Sequence, residues 1–237
     1  MQLMWLSGPT GQVKSISITA KTVLRGAFAL ALGLMLLGFF LNWIGLRFAV
    51  EYNPDLVVLS RRAATLAGVS DKATFSQGDM FEADISKATV MPLFLLPNHL
   101  NTLAAKFLRL KPGARVVSNT YEIGGGWEPD ESVRTEPCLS WCIAHLYVVP
   151  AQVAGAWRLA EGETLFLEQH YQRIYGAYQI DNVAVTIDNG RLRGEEISFT
   201  VNNVVYRGRI SGDAMAGTAK GRVTRDWRAV RMRESNE

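Results

Sequence analysis

Cysteine, histidine and early acidic residues are scarce in this chain, and each scarcity removes a class of function. Two cysteines (Cys138 and Cys142) and three histidines (His99, His145 and His170) occur among 237 residues. Two thiols cannot build a four-ligand structural zinc site, and the histidines have no ligand spacing among themselves, so no metal is expected. On a helix, the i,i+4 spacing of the cysteines would share one face, and a disulfide there would close only a tiny loop. Ordinary free thiols are the expectation. No Asp or Glu precedes Glu51, whereas Lys14, Lys21 and Arg25 do. The formal net charge is only +3, so no global basic footprint advertises nucleic acid, and none is expected as a partner. The basic tail (Arg222, Arg225, Arg228, Arg231 and Arg233) reads as a solvated strand or frayed end rather than a binding patch.

Residues 26–46, by contrast, form a long apolar run with no charge and one amide, Asn42. A helix of that length, at about 1.5 Å per residue, matches a hydrocarbon core of about 30 Å. The run is expected to be an apolar helix that anchors the chain as a single-pass protein of a bacterial inner membrane. Membrane lipid would then be its partner through residues 26–46, with Trp43 at the interface. The alternative is a buried helix in a soluble, cytoplasmic protein. No small-x-small cleavage site follows, which favours an uncleaved anchor. Basic residues flank both ends, so orientation is not specified.

Three textures divide the chain: a basic then apolar part (1–45), an α/β part (46–150) and a β-rich part (151–237). In the middle part, residues 46–50 read as a short strand ending at Glu51. Asn53 is a helix cap, Pro54 occupies the first helical position, and Leu56, Leu59, Ala63 and Leu66 follow at helical spacing until Gly68. Residues 73–76 form a second strand ending near Asp79. Residues 89–95 form a third, apolar throughout as a central parallel strand should be. Residues 100–110 form a helix and residues 114–118 a fourth strand. This alternation predicts a partial Rossmann-like parallel sheet. Residues 164–170, 183–187, 197–201, 204–210 and 214–218 alternate as antiparallel strands. Turn signals at 188–190, 202–203 and 211–213 separate them, which predicts a small barrel or sandwich.

Glu51 and Asp79 are the candidate site residues. An acid at the end of a strand in a nucleotide-binding α/β fold accepts hydrogen bonds from ribose hydroxyls. Asp79, at the end of the next strand, is placed to accept from an adenine amino group, and Met80 to lie against the adenine face. The plain structural reading of Glu51 is an acid beside a helix N-terminus.

The phrases Val50-Glu51-Tyr52-Asn53-Pro54-Asp55, Gln77-Gly78-Asp79-Met80-Phe81-Glu82 and Leu110-Lys111-Pro112-Gly113-Ala114-Arg115 carry a family resemblance. With residues 89–97 between them, they make residues 46–150 similar to the later part of a class I S-adenosylmethionine-dependent methyltransferase. The similarity is to small bacterial enzymes of the protein-lysine methyltransferase type. The resemblance implies S-adenosylmethionine as cofactor, bound by Glu51, Asp79 and Met80, and a protein or small-molecule methyl acceptor. It puts residues 95–98 near the sulfonium or the acceptor. Tyr121 and Trp127 are candidates for lining an acceptor channel, with simple packing as the alternative.

The chain departs from the family pattern at one place. The family opens with an Asp-x-Gly-x-Gly turn, whose glycines let the backbone approach the methionine part of the cofactor. No such turn occurs here. Residues 13–19 alternate like a poor first strand, and the apolar run stands where the first helix belongs. Gly124-Gly125-Gly126 follows the wrong strand and reads as a loop. The expectation is a family member degenerate or truncated at the cofactor loop, native at its N-terminus or joined there through a shifted reading frame. The alternative is a membrane-anchored, non-enzymatic binding module that uses its C-terminal β domain.

Overall fold

Few stretches of this chain combine a helix cap with a glycine stop, and two α-helices form among the described residues. The computed structural model describes residues 2–7, 12–17, 47–159 and 162–232. They fall into two units, Met1–Ala83 and Asp84–Glu237.

In the first unit, β1 (Gln2–Ser7) and β2 (Gln12–Ser17) pair antiparallel. The segment expected as a poor first strand is, over its described part, one arm of this pair. Further on, β3 (Arg47–Glu51), α1 (Pro54–Leu66) and β4 (Ala73–Gln77) make a strand-helix-strand crossover. Its strands run parallel from Arg47 opposite Ala73 to Glu51 opposite Gln77. The Asn53 side chain accepts from the Asp55 N–H at 2.9 Å, satisfying one of the helix's orphan donors. Gly68, at φ 65°, lies just past the other end. The Arg61 guanidinium donates twice to the Phe75 carbonyl, at 3.1 and 2.7 Å, tying α1 to β4. The helix buries Val57 and Ala64 and leaves Leu56, Leu59 and Leu66 exposed. This is not the expected stripe, because the sheet, two strands wide among the described residues, covers only a narrow strip of the helix.

The expected apolar helix at 26–46 lies outside the described residues. Among the described residues no helix is long and apolar enough to cross a membrane. The single-pass membrane location and the lipid partner are corrected accordingly: among the described residues the longest helix, α1, has 13 residues and spans only about 20 Å.

In the second unit, β5 (Val90–Leu93), α2 (Pro97–Phe107), β6 (Arg115–Asn119), β7 (Glu131–Arg134) and β8 (Ile143–Val148) form a sheet in the order β5-β6-β8-β7. Only β5 and β6 run parallel. The strand expected at the centre of a parallel sheet therefore stands at the edge of a mixed one, with Val90 exposed. Leu100, Leu103, Ala104 and Phe107 bury one face of α2.

Cys138 and Cys142 are bonded to each other, with Cα atoms 5.8 Å apart. The expectation of free thiols assumed a helix. The residues instead lie in the irregular loop between β7 and β8, where the chain folds back and brings the two Cβ atoms within bonding range.

The β-rich part is a closed antiparallel barrel. Its strands are β9 (Gly155–Arg158), β10 (Glu163–His170), β11 (Arg173–Ile180), β12 (Val183–Thr186), β13 (Asp188–Arg193), β14 (Glu196–Val201), β15 (Val204–Ser211), β16 (Ala214–Lys220) and β17 (Thr224–Arg231). They run in the order β10-β9-β17-β16-β15-β14-β13-β11-β12, and pairing of β10 with β11 closes the ring. β12 and β13 follow one another along β11. Closure removes the open edges that would template aggregation. Alternate residues point inward: Leu165 and Leu167, Ile197, Phe199 and Val201, and Trp227 and Ala229 join one buried core. Small residues make room for the large ones; a Cβ on Gly208 would stand 2.6 Å from the Trp227 ring. The basic tail is therefore structural over Thr224–Arg231, where Trp227 and Ala229 are core residues.

Candidate functional site

Glu51 and Asp79 reach neighbouring strand tips through local chain geometry. Glu51 is the last residue of β3 and faces Gln77, the last of β4. The Gly78 N–H donates to the Glu51 carbonyl at 3.1 Å, extending the ladder by one bond. A Cβ on Gly78 would meet Val50 at 3.3 Å, so glycine lets the two chains stay close where they diverge. Asp79 follows immediately and is exposed, and Met80 after it is half-buried.

Both carboxylates are oriented by their own backbone. Glu51 Oε1 accepts from the Asn53 N–H at 2.9 Å, and Asp79 Oδ1 accepts from the Phe81 N–H at 2.8 Å. Each Asx- or Glx-type bond fixes a rotamer and uses one oxygen. The second oxygen of each side chain has no protein donor among the described residues and is available to a ligand hydroxyl or amine. The structure thus brings the two acids to adjacent ends of one parallel strand pair. In open α/β sheets, ligands bind beyond such carboxyl ends.

The other expected residues belong to the second unit. Residues 95–98 lead into α2: Leu96 is its N-cap residue without a side-chain capping bond, and the Asn98 carbonyl accepts from the Thr102 hydroxyl at 2.9 Å. Trp127 does not line an open channel. It is 1% exposed, stacks on Tyr171 at 5.8 Å and meets Tyr147 edge-on at 5.2 Å. Its indole N–H is buried without a hydrogen-bond partner among the described residues. Packing is the reading that holds for Trp127. The Tyr147 hydroxyl accepts from the Ile123 N–H at 2.9 Å, and burial pushes its pKa up to about 12.

Gly124-Gly125-Gly126 is a joint rather than a free loop. The Gly124 N–H donates to the Asn101 side chain of α2 at 2.7 Å. Cβ atoms on Gly125 and Gly126 would stand 2.7 Å from the Tyr171 hydroxyl and 2.8 Å from the His170 ring, at the β10–β11 turn. Beside it, Arg173 donates to both Glu128 oxygens at 2.7 and 2.8 Å, Gln172 donates to the Glu128 carbonyl at 2.7 Å, and Arg191 lies 3.4 Å from Asp130. These contacts bind the barrel to the mixed sheet within the second unit.

Tyr121 has two companions that reading the sequence passed over. Phe94 follows β5, Tyr121 follows β6, and Trp141 lies in the disulfide loop ahead of antiparallel β8, so all three gather at the carboxyl end of the β5–β6 pair. Trp141 meets Phe94 at 5.3 Å and Tyr121 at 6.3 Å, edge to face in both cases. The close spacing of the cysteines was the one signal that residues 138–142 are held in place.

Comparison with known proteins adds an independent line. Residues 43–131 match the model of the ANTKMT methyltransferase domain. A curated protein-lysine N-methyltransferase of Saccharolobus islandicus is 43% identical over 101 residues, which cover 42% of this chain and 62% of that protein. The chain thus spans about three-fifths of this curated relative. Among solved structures, an RNA methyltransferase from Salinibacter ruber in complex with S-adenosyl-L-homocysteine is 39% identical. That match covers 45% of this chain and 67% of the other, at a TM-score of 0.41.

Proposed function

We propose that this chain, which belongs to the class I S-adenosylmethionine-dependent methyltransferase family, transfers a methyl group from S-adenosylmethionine to a lysine amine of a protein. The observation that carries this reading is the pair of strand-end acids, Glu51 and Asp79, each with one carboxylate oxygen unengaged by protein among the described residues. That donor set fits a nucleoside. Glu51 would accept from the ribose hydroxyls, Asp79 from the adenine amino group, and Met80 would pack on the base. When bound, S-adenosylmethionine supplies a methyl group made electrophilic by its sulfonium. The chain's task is to fix the nucleoside and to hold a neutral amine in line with that methyl in a water-poor site. The curated relative's name supports a protein-lysine acceptor.

Grip on the other half of the cofactor is reduced. No Asp-x-Gly-x-Gly turn occurs in the chain, so the methionine end lacks the glycine backbone that would approach it. Binding is accordingly dominated by the nucleoside. Isothermal titration tests this. S-adenosylmethionine and adenosine should bind with affinities within about tenfold of each other. Glu51→Gln and Asp79→Asn should each weaken both ligands by about ten- to a hundredfold, the worth of a hydrogen bond to a charged group. No saturable heat, or variants that bind like the parent, would overturn the reading.

A further inference from the structure

Large exposed aromatic side chains are costly to leave in water, and two of them converge with the half-buried Tyr121 at one place in the second unit. Phe94 is 63% and Trp141 52% exposed, yet the rings of Phe94 and Tyr121 both pack against Trp141, at interplanar angles of 81° and 63°. Rings set nearly perpendicular present a corner of π faces, the arrangement that attracts an alkylammonium cation.

Two further features show that this corner is held in shape. Trp141 sits at φ 61° and Thr120, next to Tyr121, at φ 68°. A bulky residue in the left-handed region is uncommon and persists only where its surroundings over-determine it. The Cys138–Cys142 bond closes the loop that carries Trp141. Of the acids along residues 119–142, Glu128, Asp130 and Glu136 are each paired with an arginine, and Glu131 lies at the end of β7 away from the loop that carries Trp141. Glu122 follows Tyr121 directly in the chain, and a carboxylate there favours a cation over a phosphate, unlike the basic, stacking platforms that hold single-stranded nucleic acid.

We infer that Phe94, Tyr121 and Trp141 form the recognition surface for the methyl acceptor, with the three rings receiving the butyl stem and ammonium head of a lysine side chain, which gives up its proton to water before transfer. Trp141 is the central ring and the main specificity determinant. This inference deepens the methyl-transfer reading and rests on it for the meaning of the site. The binding itself is measurable without any methyl donor.

The test is the binding of a fluorescein-labelled Gly-Lys-Gly peptide, followed by anisotropy, against the same peptide with norleucine in place of lysine. Norleucine keeps the stem and removes the charge. The lysine peptide should bind at least fivefold more tightly than the norleucine peptide. Trp141→Ala and Phe94→Ala should each weaken it about two- to fivefold, the range for one exposed cation–π contact, and Trp141→Phe should retain most of the binding. Circular dichroism of each variant reports whether the fold survives, and the Phe variant keeps the test informative if the Ala variant unfolds. The inference fails if the lysine peptide does not bind, if both peptides bind equally, if the ring variants bind like the parent, or if hexauridine displaces the lysine peptide. Titration of S-adenosylmethionine into the same preparations keeps the two ideas apart. Lysine selectivity without cofactor binding sinks the enzyme reading alone, and cofactor binding without lysine selectivity sinks this one alone.

Discussion

Gly176 is the position where the closed barrel makes its sharpest demand. It lies on β11 opposite Leu167 of β10, the pairing that closes the ring. Its φ is +141°, and an added Cβ would overlap the Phe166 carbonyl oxygen and stand 2.9 Å from its carbon. Real Cβ contacts essentially never fall below 3.0 Å, and a backbone carbonyl cannot swing aside as a side chain can. Gly176→Ala must therefore push β10 and β11 apart by about 1 Å, which stretches neighbouring ladder bonds from about 2.9 Å to beyond bonding range. Losing two or three such bonds at about 1 kcal/mol each, plus about 1–3 kcal/mol for the disallowed backbone angle, gives a loss of about 4 kcal/mol. That is a large part of a domain's total of about 5–15 kcal/mol. Gly212→Ala is the control: its φ is +59° with nothing within 4 Å of the added Cβ, so only a conformational cost of about 1–2 kcal/mol applies. Urea unfolding followed by tryptophan fluorescence compares the two at constant slope. Equal losses would refute the close crossing of β10 and β11 and, with it, closure of the barrel at that seam.

Four further outcomes follow from the same structure. Replacing both cysteines, Cys138→Ser with Cys142→Ser, should cost about 2 kcal/mol, the loop-closure entropy of so short a ring; the unreduced native protein should show no titratable thiol with Ellman's reagent. Trp127→Phe removes a buried N–H that has no partner among the described residues, so only the lost packing counts, about 1–2 kcal/mol. Trp157→Phe instead abandons the 2.8 Å bond to the Val153 carbonyl, and should cost about 2 kcal/mol or more in urea unfolding. The Tyr147 pKa is raised by burial from 10.0 to about 12, so the unfolded chain releases this proton first. The resulting stability is fully present below pH 10 and should fall as pH rises towards 12. Urea midpoints measured across that interval check the sign, and a midpoint that rises with pH would contradict it.

What could be read in the sequence was local. Asn53, Pro54 and Gly68 bracket α1 by rules that act within one helical turn, and Glu51 and Asp79 follow from the strand ends on either side of it. The stripe Leu56-Leu59-Ala63-Leu66 misled because helical spacing reports an amphipathic face but not the width of the sheet it meets. Residues 188–190 resemble a turn, yet Asp188–Arg193 is a strand in which Asn189 takes φ 52° beside a register shift. A bulge and a turn use the same residue types, and only the partner strand separates them. The last strand was hidden differently: its arginines point outward and read as solvated, while Trp227 and Ala229 fill the core from the alternate positions.

Sequence separation explains the rest. Ring closure depends on β9 meeting β17, with Arg158 opposite Val230, and no local pattern encodes that contact. The aromatic corner has the same character, since residues 94, 121 and 141 become neighbours only because β5, β6 and β8 stack in that order in one sheet. Glu51 and Asp79 follow strand ends that local sequence motifs capture, and both lie within residues 43–131, the span that the family model matches; Trp141 lies beyond it. If the corner selects the acceptor, cofactor use is set by the locally encoded half of the chain and acceptor choice by contacts that topology creates. Variants at Glu51 and at Trp141 should then separate cleanly, the first changing nucleoside affinity without altering lysine-peptide binding, and the second doing the reverse.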